Sequence, residues 1–341
     1  MNKYMKQERF HGIGQLGQKR LRESHVLIVG VGALGSMSAE MLARAGIGQL
    51  TLVDGDFVEE HNLQRQLLYT ELDAKAHRAK VKAATKRLQE VNSEVKVTGC
   101  FQSLHNENIQ QLLQGVDVII DGTDNFETRL LINDAAYKWG IPWVYGGLSG
   151  SYGLSLPFIP NQSGPCFRCL ESFLTDDEDC DTYGVLGTTV QMVTAQQVTS
   201  TLKILTGDKV QPSMYKFDLW ESDAGYIAVQ PLQKPTCQTC GNERTYPSLR
   251  SDQSMRNIQW LCASSGVHIR PKEAQNLHLP RERCSNHLWT YLPFSDVCML
   301  RKANRQVMLF QDGRATIRGV ATTNEAELLY DEALAFLYEQ V

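Results

Sequence analysis

Four of the chain's nine cysteines fall into two C-x-x-C pairs, "CFRCLES" at 166–172 and "CQTCGNE" at 237–243. Two thiols spaced this way can form a redox couple, or half of a four-thiolate metal clamp. Well upstream, Gly30, Gly32 and Gly35 complete G-x-G-x-x-G directly after the apolar run "HVLIV". In that context the missing side chains let backbone N–H groups reach a phosphate, and a following helix N-terminus adds partial positive charge. Asp54 closes the next apolar run, about twenty residues on, where a carboxylate can hold ribose hydroxyls. Alone, these residues point to a nucleotide and lean toward a dinucleotide dehydrogenase. A tight strand–helix turn without a ligand would read the same.

The residues after Asp54 do not suit a dehydrogenase. "HNLQRQLLYT" (61–70) brings Asn62, Arg65 and Gln66 together soon after that carboxylate. Arg65 offers a planar fork for phosphate oxygens, and Lys80, opening the next helical run, a point charge for the same group. In "DGTDNFETR", Asp124 and Asn125 fall just past the carboxyl end of an apolar run, where open α/β sheets place their ligands. An exposed aspartate there can hold Mg²⁺, whose preference for hard oxygens joins a carboxylate to phosphate. Arg129, five residues further, is expected either to support Asp124 or to lie on the helix surface.

Several elements must position these groups. Strands are expected at 25–30, 49–56, 94–101, 116–125 and within "IPWVYGGLSG". Helices are expected after the glycine loop up to Gly46, at 79–92, within "NENIQQLLQG" and within "ETRLLINDAAYKWG". This alternation implies a Rossmann-like α/β sheet with helices on both faces. "YGLSLPFIP" and "MYKFDLWESDAGYIAVQP" read as antiparallel extensions, and 188–207 as a long helix ending at glycine. The acidic stretch "LTDDEDCDTYG" at 174–184 has no periodicity and reads as a loop. "TYPSLRSDQS" reads as a linker, giving domains 1–246 and 247–341. The second is expected to be a small α+β unit, with a hairpin turning at Asp312-Gly313 and a final helix.

Bulk properties exclude several classes. A net charge of −4 over 341 residues lacks the basic face of a nucleic-acid binder. No apolar run approaches the roughly 18 residues that cross a bilayer, so no membrane partner is expected. "MNKYMKQERFHGIG" has no apolar signal-peptide core. A cytoplasmic location is therefore expected, where spaced cysteines favour metal or catalysis over disulfides.

In order, GVGALG, LVDGD, NLQRQ, TDNFETR, CFRC and CQTC resemble the ubiquitin-activating-type adenylyltransferases, and most closely the bacterial MoeB/ThiF proteins. The resemblance spans about residues 3–247. It implies binding of ATP and Mg²⁺, and attack of a carrier's C-terminal carboxylate on the α-phosphate to give an acyl-adenylate and pyrophosphate. The implied partner is a small ubiquitin-like sulfur-carrier protein ending in Gly-Gly, serving molybdopterin or thiamin thiazole synthesis. Carried onto this sequence, the loop with Ala33 approaches the nucleotide and Asp54 holds the ribose. Asn62, Arg65 and Lys80 contact phosphates, and Asp124 binds Mg²⁺. The family commonly has an arginine near its N-terminus that reaches the partner subunit's ATP site in a homodimer. Here the matching run is "YMKQ", so Lys6 stands in that place and lacks the bidentate fork.

Two C-x-x-C pairs supply four thiolates for a tetrahedral site, so Cys166, Cys169, Cys237 and Cys240 fit a structural Zn²⁺, as in the resembled family. Cys180, in the acidic loop, stands where many relatives carry a cysteine that bonds covalently to the carrier. Asp179 and Asp181 would raise its thiol pKa, and an inert loop cysteine is the alternative. Cys100, Cys262, Cys284 and Cys298 read as packing residues. No sulfurtransferase-like loop, a cysteine followed by an anion cradle and arginine, stands in the last ninety residues. Two competing readings remain. An NAD-dependent oxidoreductase leaves Arg65, Lys80, Asp124 and the cysteine pairs without a role. A non-catalytic subunit of a split activating enzyme would show a damaged phosphate site.

Overall fold

The computed structural model describes residues 2–174, 184–250, 257–261, 266–271, 275–280, 289–293 and 297–338. The chain forms two compact units, Met1–Ser251 and Asp252–Val341. An eight-stranded sheet organises the first. Its strands are β1 (His25–Val29), β2 (Gln49–Asp54), β3 (Lys96–Phe101), β4 (Val118–Asp121), β5 (Trp143–Ser149), β6 (Tyr152–Phe158), β7 (Ser213–Asp218) and β8 (Asp223–Ala228). They lie in the order β3-β2-β1-β4-β5-β6-β7-β8. Pairing is parallel from β3 through β5 and antiparallel from β5 onward, so the expected extension is present. β1 and β4 are covered on both faces, and such strands read as unbroken apolar runs.

The helices of the first unit are, among the described residues, α1 (Met5–Glu8), α2 (Gly14–Glu23), α3 (Ala33–Ala45), α4 (Glu71–Lys75), α5 (Lys80–Val91), α6 (Ile109–Leu112), α7 (Phe126–Trp139), α8 (Phe167–Leu174) and α9 (Gly187–Thr206). On one face of the sheet α3 packs against α9 and α5, and Leu34, Val190, Val193 and Phe217 form a buried cluster. The other face carries α6, α7 and α8 over Trp143, Tyr145, Phe158 and Phe167. Helices α3, α7 and α9 stop at Gly46, Gly140 and Gly207, each left-handed, where glycine carries no Cβ penalty.

Sequence periodicity did not announce α1 and α2. Gln18 donates to the carbonyl of Ala45 at 3.0 Å, and Asn92 donates to the Tyr4 hydroxyl at 2.8 Å. These long-range contacts seat the N-terminal segment against the end of α3. The stretch expected as a linker begins as a fixed turn: the Ser248 N–H donates to Asp134 of α7 at 2.8 Å.

The second unit holds β9 (Asn257–Leu261), β10 (Gly266–Arg270), β11 (Thr290–Pro293), β12 (Val297–Lys302), β13 (Arg305–Phe310), β14 (Ala315–Arg318) and α10 (Thr323–Tyr338). Its six strands are antiparallel in the order β11-β12-β13-β14-β10-β9. Gly313, at φ 84°, turns the β13–β14 hairpin where expected. Leu329, Tyr330 and Phe336 of α10 pack on Val267, Leu300, Leu309 and Ile317. Cys298 is buried in this core and Cys100 packs at the edge of the first unit's core. Cys180, Cys262 and Cys284 lie outside the described residues.

Candidate nucleotide site and cysteine cluster

The glycine loop sits at the carboxyl ends of β1 and β4 and fits too closely for side chains. A Cβ on Gly35 would stand 1.8 Å from the Gly30 carbonyl oxygen, and one on Gly30 would stand 2.6 Å from that of Gly122. Gly30 also has φ 79°, which a side chain would disfavour. At Gly32 the nearest atom to an added Cβ is the Gln66 amide nitrogen, at 3.8 Å. The loop is therefore packed on its inner side and open at Gly32, where Ala33 begins α3.

Val31, inside the loop, is held from both ends of its peptide. Its N–H donates to Asp54 Oδ2 at 2.7 Å, and its carbonyl accepts from the buried Tyr69 hydroxyl at 2.6 Å. Asp54 Oδ1 accepts the Asp56 N–H at 2.7 Å. Burial pushes the Asp54 carboxyl above its ordinary range, against the pull of Lys80. Lys80 is itself buried, with Nζ 3.1 Å from Asp56 Oδ2. Burial alone would lower its ammonium pKa. Asp56 and Asp54 outweigh that and hold it above the usual lysine range, and Asp124 adds to the same field. Asp54, Lys80 and Asp124 thus share one electrostatic neighbourhood beside the loop.

Asn62 and Arg65 come from the crossover after β2. Asn62 is buried, its Oδ1 accepting the Glu59 N–H at 3.2 Å, and Arg65 Nη1 donates to the His61 carbonyl at 3.0 Å. Gln66 is 4% exposed and its Oε1 has no hydrogen-bond partner among the described residues. Beside this crossover, Gln64 Nε2 lies 3.4 Å from the carbonyl of Val185, just beyond the Cys180 stretch.

Asp124 is exposed and immediately precedes α7, whose N-cap Asn125 accepts the Thr128 N–H at 2.8 Å. A helix N-terminus favours negative charge at that place. Arg129 is neither on the helix surface nor paired with Asp124. Its Nε lies 3.0 Å from Oδ2 of Asp121, and its Nη2 donates to the carbonyls of Thr123 and Gly146 at 2.7 and 3.2 Å. The physical reason is burial: Asp121 is fully enclosed, and an enclosed carboxylate needs a cation more than an exposed one does. Arg129 therefore fixes the backbone that carries Asp124. Sequence reading missed Asp56, Tyr69 and Asp121; a carboxylate closing an apolar strand run was the available sign for Asp121.

At the other end of α7 the four C-x-x-C cysteines converge. Their sulfurs all lie within 4.8 Å of one another, with the Cys166–Cys237 and Cys169–Cys240 pairs each at 3.5 Å and no disulfide between them. Four sulfurs bonded tetrahedrally at about 2.3 Å to zinc would stand roughly 3.8 Å apart, so the donor set fits a Zn²⁺. The N–H groups of Lys234 and Thr239 point at Cys169 and Cys237, each at 3.5 Å, and favour thiolate there. Around the cluster Arg168 bridges Asp134, Thr239 and Ser248 at 2.8 to 3.0 Å. These contacts tie both cysteine turns to α7, as ligand-orienting partners do at metal sites. Lys6 is exposed on α1.

Three comparisons with known proteins bear on this arrangement. The model of the ThiF family matches residues 4–239. A Bacillus subtilis relative named sulfur carrier protein ThiS adenylyltransferase is 40% identical over 333 residues, covering 96% of this chain and 98% of its own length. A Thermus thermophilus relative named sulfur carrier protein adenylyltransferase is 33% identical over 258 residues, covering 73% and 94%. Among solved structures, Escherichia coli MccB with succinimide superposes with a TM-score of 0.59 at 20% identity, over 71% of this chain and 74% of its own. That likeness is one of fold. The motif order seen in the sequence, the loop geometry and a relative matched along nearly its whole length agree, and the chain belongs to the ThiF family.

Proposed function

We propose that the protein is an ATP-dependent adenylyltransferase acting on the C-terminal glycine of a small ubiquitin-like sulfur carrier. The observation that carries this reading is the chain of contacts from Lys80 through Asp56 and Asp54 to the Val31 N–H of a glycine loop open at Gly32, with Asp124 acting on the same ammonium. A carrier carboxylate and a triphosphate repel each other, and cations with oriented N–H groups are the means of bringing them together. In this reading Lys80, Arg65 and Asn62 hold phosphate oxygens, the backbone at Gly32 and Ala33 approaches the nucleotide, and Asp54 holds the ribose. One carrier oxygen attacks the α-phosphorus, the bond to the β-phosphate breaks, and acyl-adenylate and pyrophosphate result. Asp124 would hold Mg²⁺, which supplies positive charge to the phosphates.

A carrier of the ThiS type, serving thiazole synthesis, is favoured over one serving molybdopterin. The relative so named matches 96% of this chain at 40% identity, whereas relatives named adenylyltransferase and sulfurtransferase MOCS3 match 67 to 86% at 33 to 38% identity. In this reading residues 1–246 are the ATP-binding domain with its structural zinc site, and 247–341 an appendage. The reading includes a homodimer in which Lys6 approaches the partner's site, and a cytoplasmic location. No helix among the described residues is long and apolar enough to cross a membrane. The test is exchange of labelled pyrophosphate into ATP with purified carriers. Exchange that depends on a ThiS-type carrier is expected; ATP binding without exchange for any carrier would refute the adenylation reading.

Cys180 provides a second check. Forming the adenylate needs no thiol, so Cys180→Ser should keep pyrophosphate exchange within about twofold of wild type. Should Cys180 attack the acyl-adenylate carbonyl, AMP leaves and a thioester joins the two proteins, visible as a thiol-sensitive band on a non-reducing gel and missing from the variant. Loss of exchange in folded Cys180→Ser would show that the two steps are not separate.

A further inference from the structure

Lys80 is a buried cation of the candidate site, and a flexible four-carbon stem does not aim itself. The structure supplies an aiming device. Asp56 and Lys80 are joined twice: the Lys80 N–H donates to the Asp56 carbonyl at 2.9 Å, and Lys80 Nζ donates to Asp56 Oδ2 at 3.1 Å. Phe57 bridges Ala79 in antiparallel fashion, and the Val58 N–H donates to the Arg78 carbonyl at 2.9 Å. This short ladder locks the segment after β2 to the start of α5. The Lys80 side chain is 9% exposed and that of Asp56 is 43% exposed, so the carboxylate reaches solvent while the lysine stays enclosed. From Asp56 the connection continues through its N–H to Asp54, and through Asp54 to the Val31 N–H in the glycine loop.

We propose that Asp56 is a positioning residue for nucleotide activation, holding the Lys80 ammonium in register with the glycine loop so that it meets the phosphates already oriented. The proposal rests on the adenylation reading and adds a residue to it. Asp56 does not touch the nucleotide in this scheme; it acts through Lys80. Removing its charge has two opposed effects on ATP binding. The lysine loses its aim, and a negative charge near the incoming triphosphate disappears. These tend to cancel in the ground state, whereas alignment during the reaction only suffers.

The test is a double-mutant cycle on the full chain, using Asp56→Asn, Lys80→Ala and the pair, with Asp56→Glu as the conservative variant. In carrier-dependent pyrophosphate exchange Asp56→Asn should lower kcat about tenfold or more while KM for ATP stays within about threefold. Binding of α,β-methylene-ATP, measured by calorimetry, should change as little as KM. In the Lys80→Ala background Asp56→Asn should cost nothing further, and Asp56→Glu should recover part of the loss. Independent, multiplying losses from the two substitutions would overturn the proposal, as would unchanged kcat or a rise in KM alone. Should Asp56→Asn fail to fold, Asp56→Ser alone and combined with Lys80→Ala makes the same comparison. A wild-type protein that binds the analogue but exchanges no pyrophosphate would refute adenylation. Uncoupled variants in an active enzyme would refute the role of Asp56 alone.

Discussion

Replacing Asp124 with alanine is expected to abolish carrier-dependent pyrophosphate exchange while leaving the protein folded. The carboxylate is exposed just ahead of α7, outside the buried contacts by which Arg129 holds Asp121, Thr123 and Gly146. The fold therefore loses little when it goes. On the proposed reading the reaction would lose its hard-oxygen ligand where charge is gathered on the phosphates, a cost of about 4 kcal/mol, or roughly a thousandfold in rate. Exchange kinetics with a parallel melting curve check both halves. Near-normal exchange in the variant would remove Asp124 from the mechanism.

The second large effect is expected at the cysteine cluster. Purified protein should contain about one zinc per chain by elemental analysis, and Cys166→Ser or Cys240→Ser should lower metal content and melting temperature together. Cys166 is fully buried and Cys240 nearly so, so metal loss leaves enclosed thiols facing one another with nothing to bind them. Zinc bound by four thiolates contributes folding free energy directly, and several kcal/mol should disappear with it. A strong chelator should reproduce the loss in the wild type. Freshly prepared protein without zinc, or a Cys166→Ser variant that melts like wild type, would contradict the assignment.

Legibility in the sequence followed burial on both faces and local turn chemistry. "HVLIV" and "VIID" name β1 and β4 because both sides of those strands are covered, and Gly46, Gly140 and Gly207 mark helix ends by a conformation that suits glycine. The glycine loop was readable because its spacing reflects contacts only a few residues long. The N-terminal helices were not, since what seats them is Tyr4 against Asn92 and Gln18 against Ala45, contacts between distant parts of the chain. The six-stranded sheet of the second unit showed only its Asp312-Gly313 hairpin, because β11 and β14 are four residues long and carry too little alternation to count. At the site, residue types were legible and partners were not. Arg129 stands five residues from Asp124 and eight from Asp121, and only enclosure of Asp121 decides between them.

The cysteine pairs also bear on how the chain is made. Cys166 meets Cys237, and Cys169 meets Cys240, each across 71 positions. The interval includes α9, β7 and β8, the last three elements needed to finish the first unit's sheet and its covering helix. During synthesis the parallel strands β1 to β5 emerge first and can begin to pair, since chains tend to fold from their N-terminal side as they are made. A metal clamp made of these four sulfurs could not close until Cys240 had left the ribosome. On the zinc reading, metal capture would therefore be a late event that joins the ends of a long excursion, and closing so long a loop would remove much of the freedom of the unfinished chain. A released chain lacking the last hundred residues would already have all four sulfurs, whereas one ending a few residues before Cys237 would have only two.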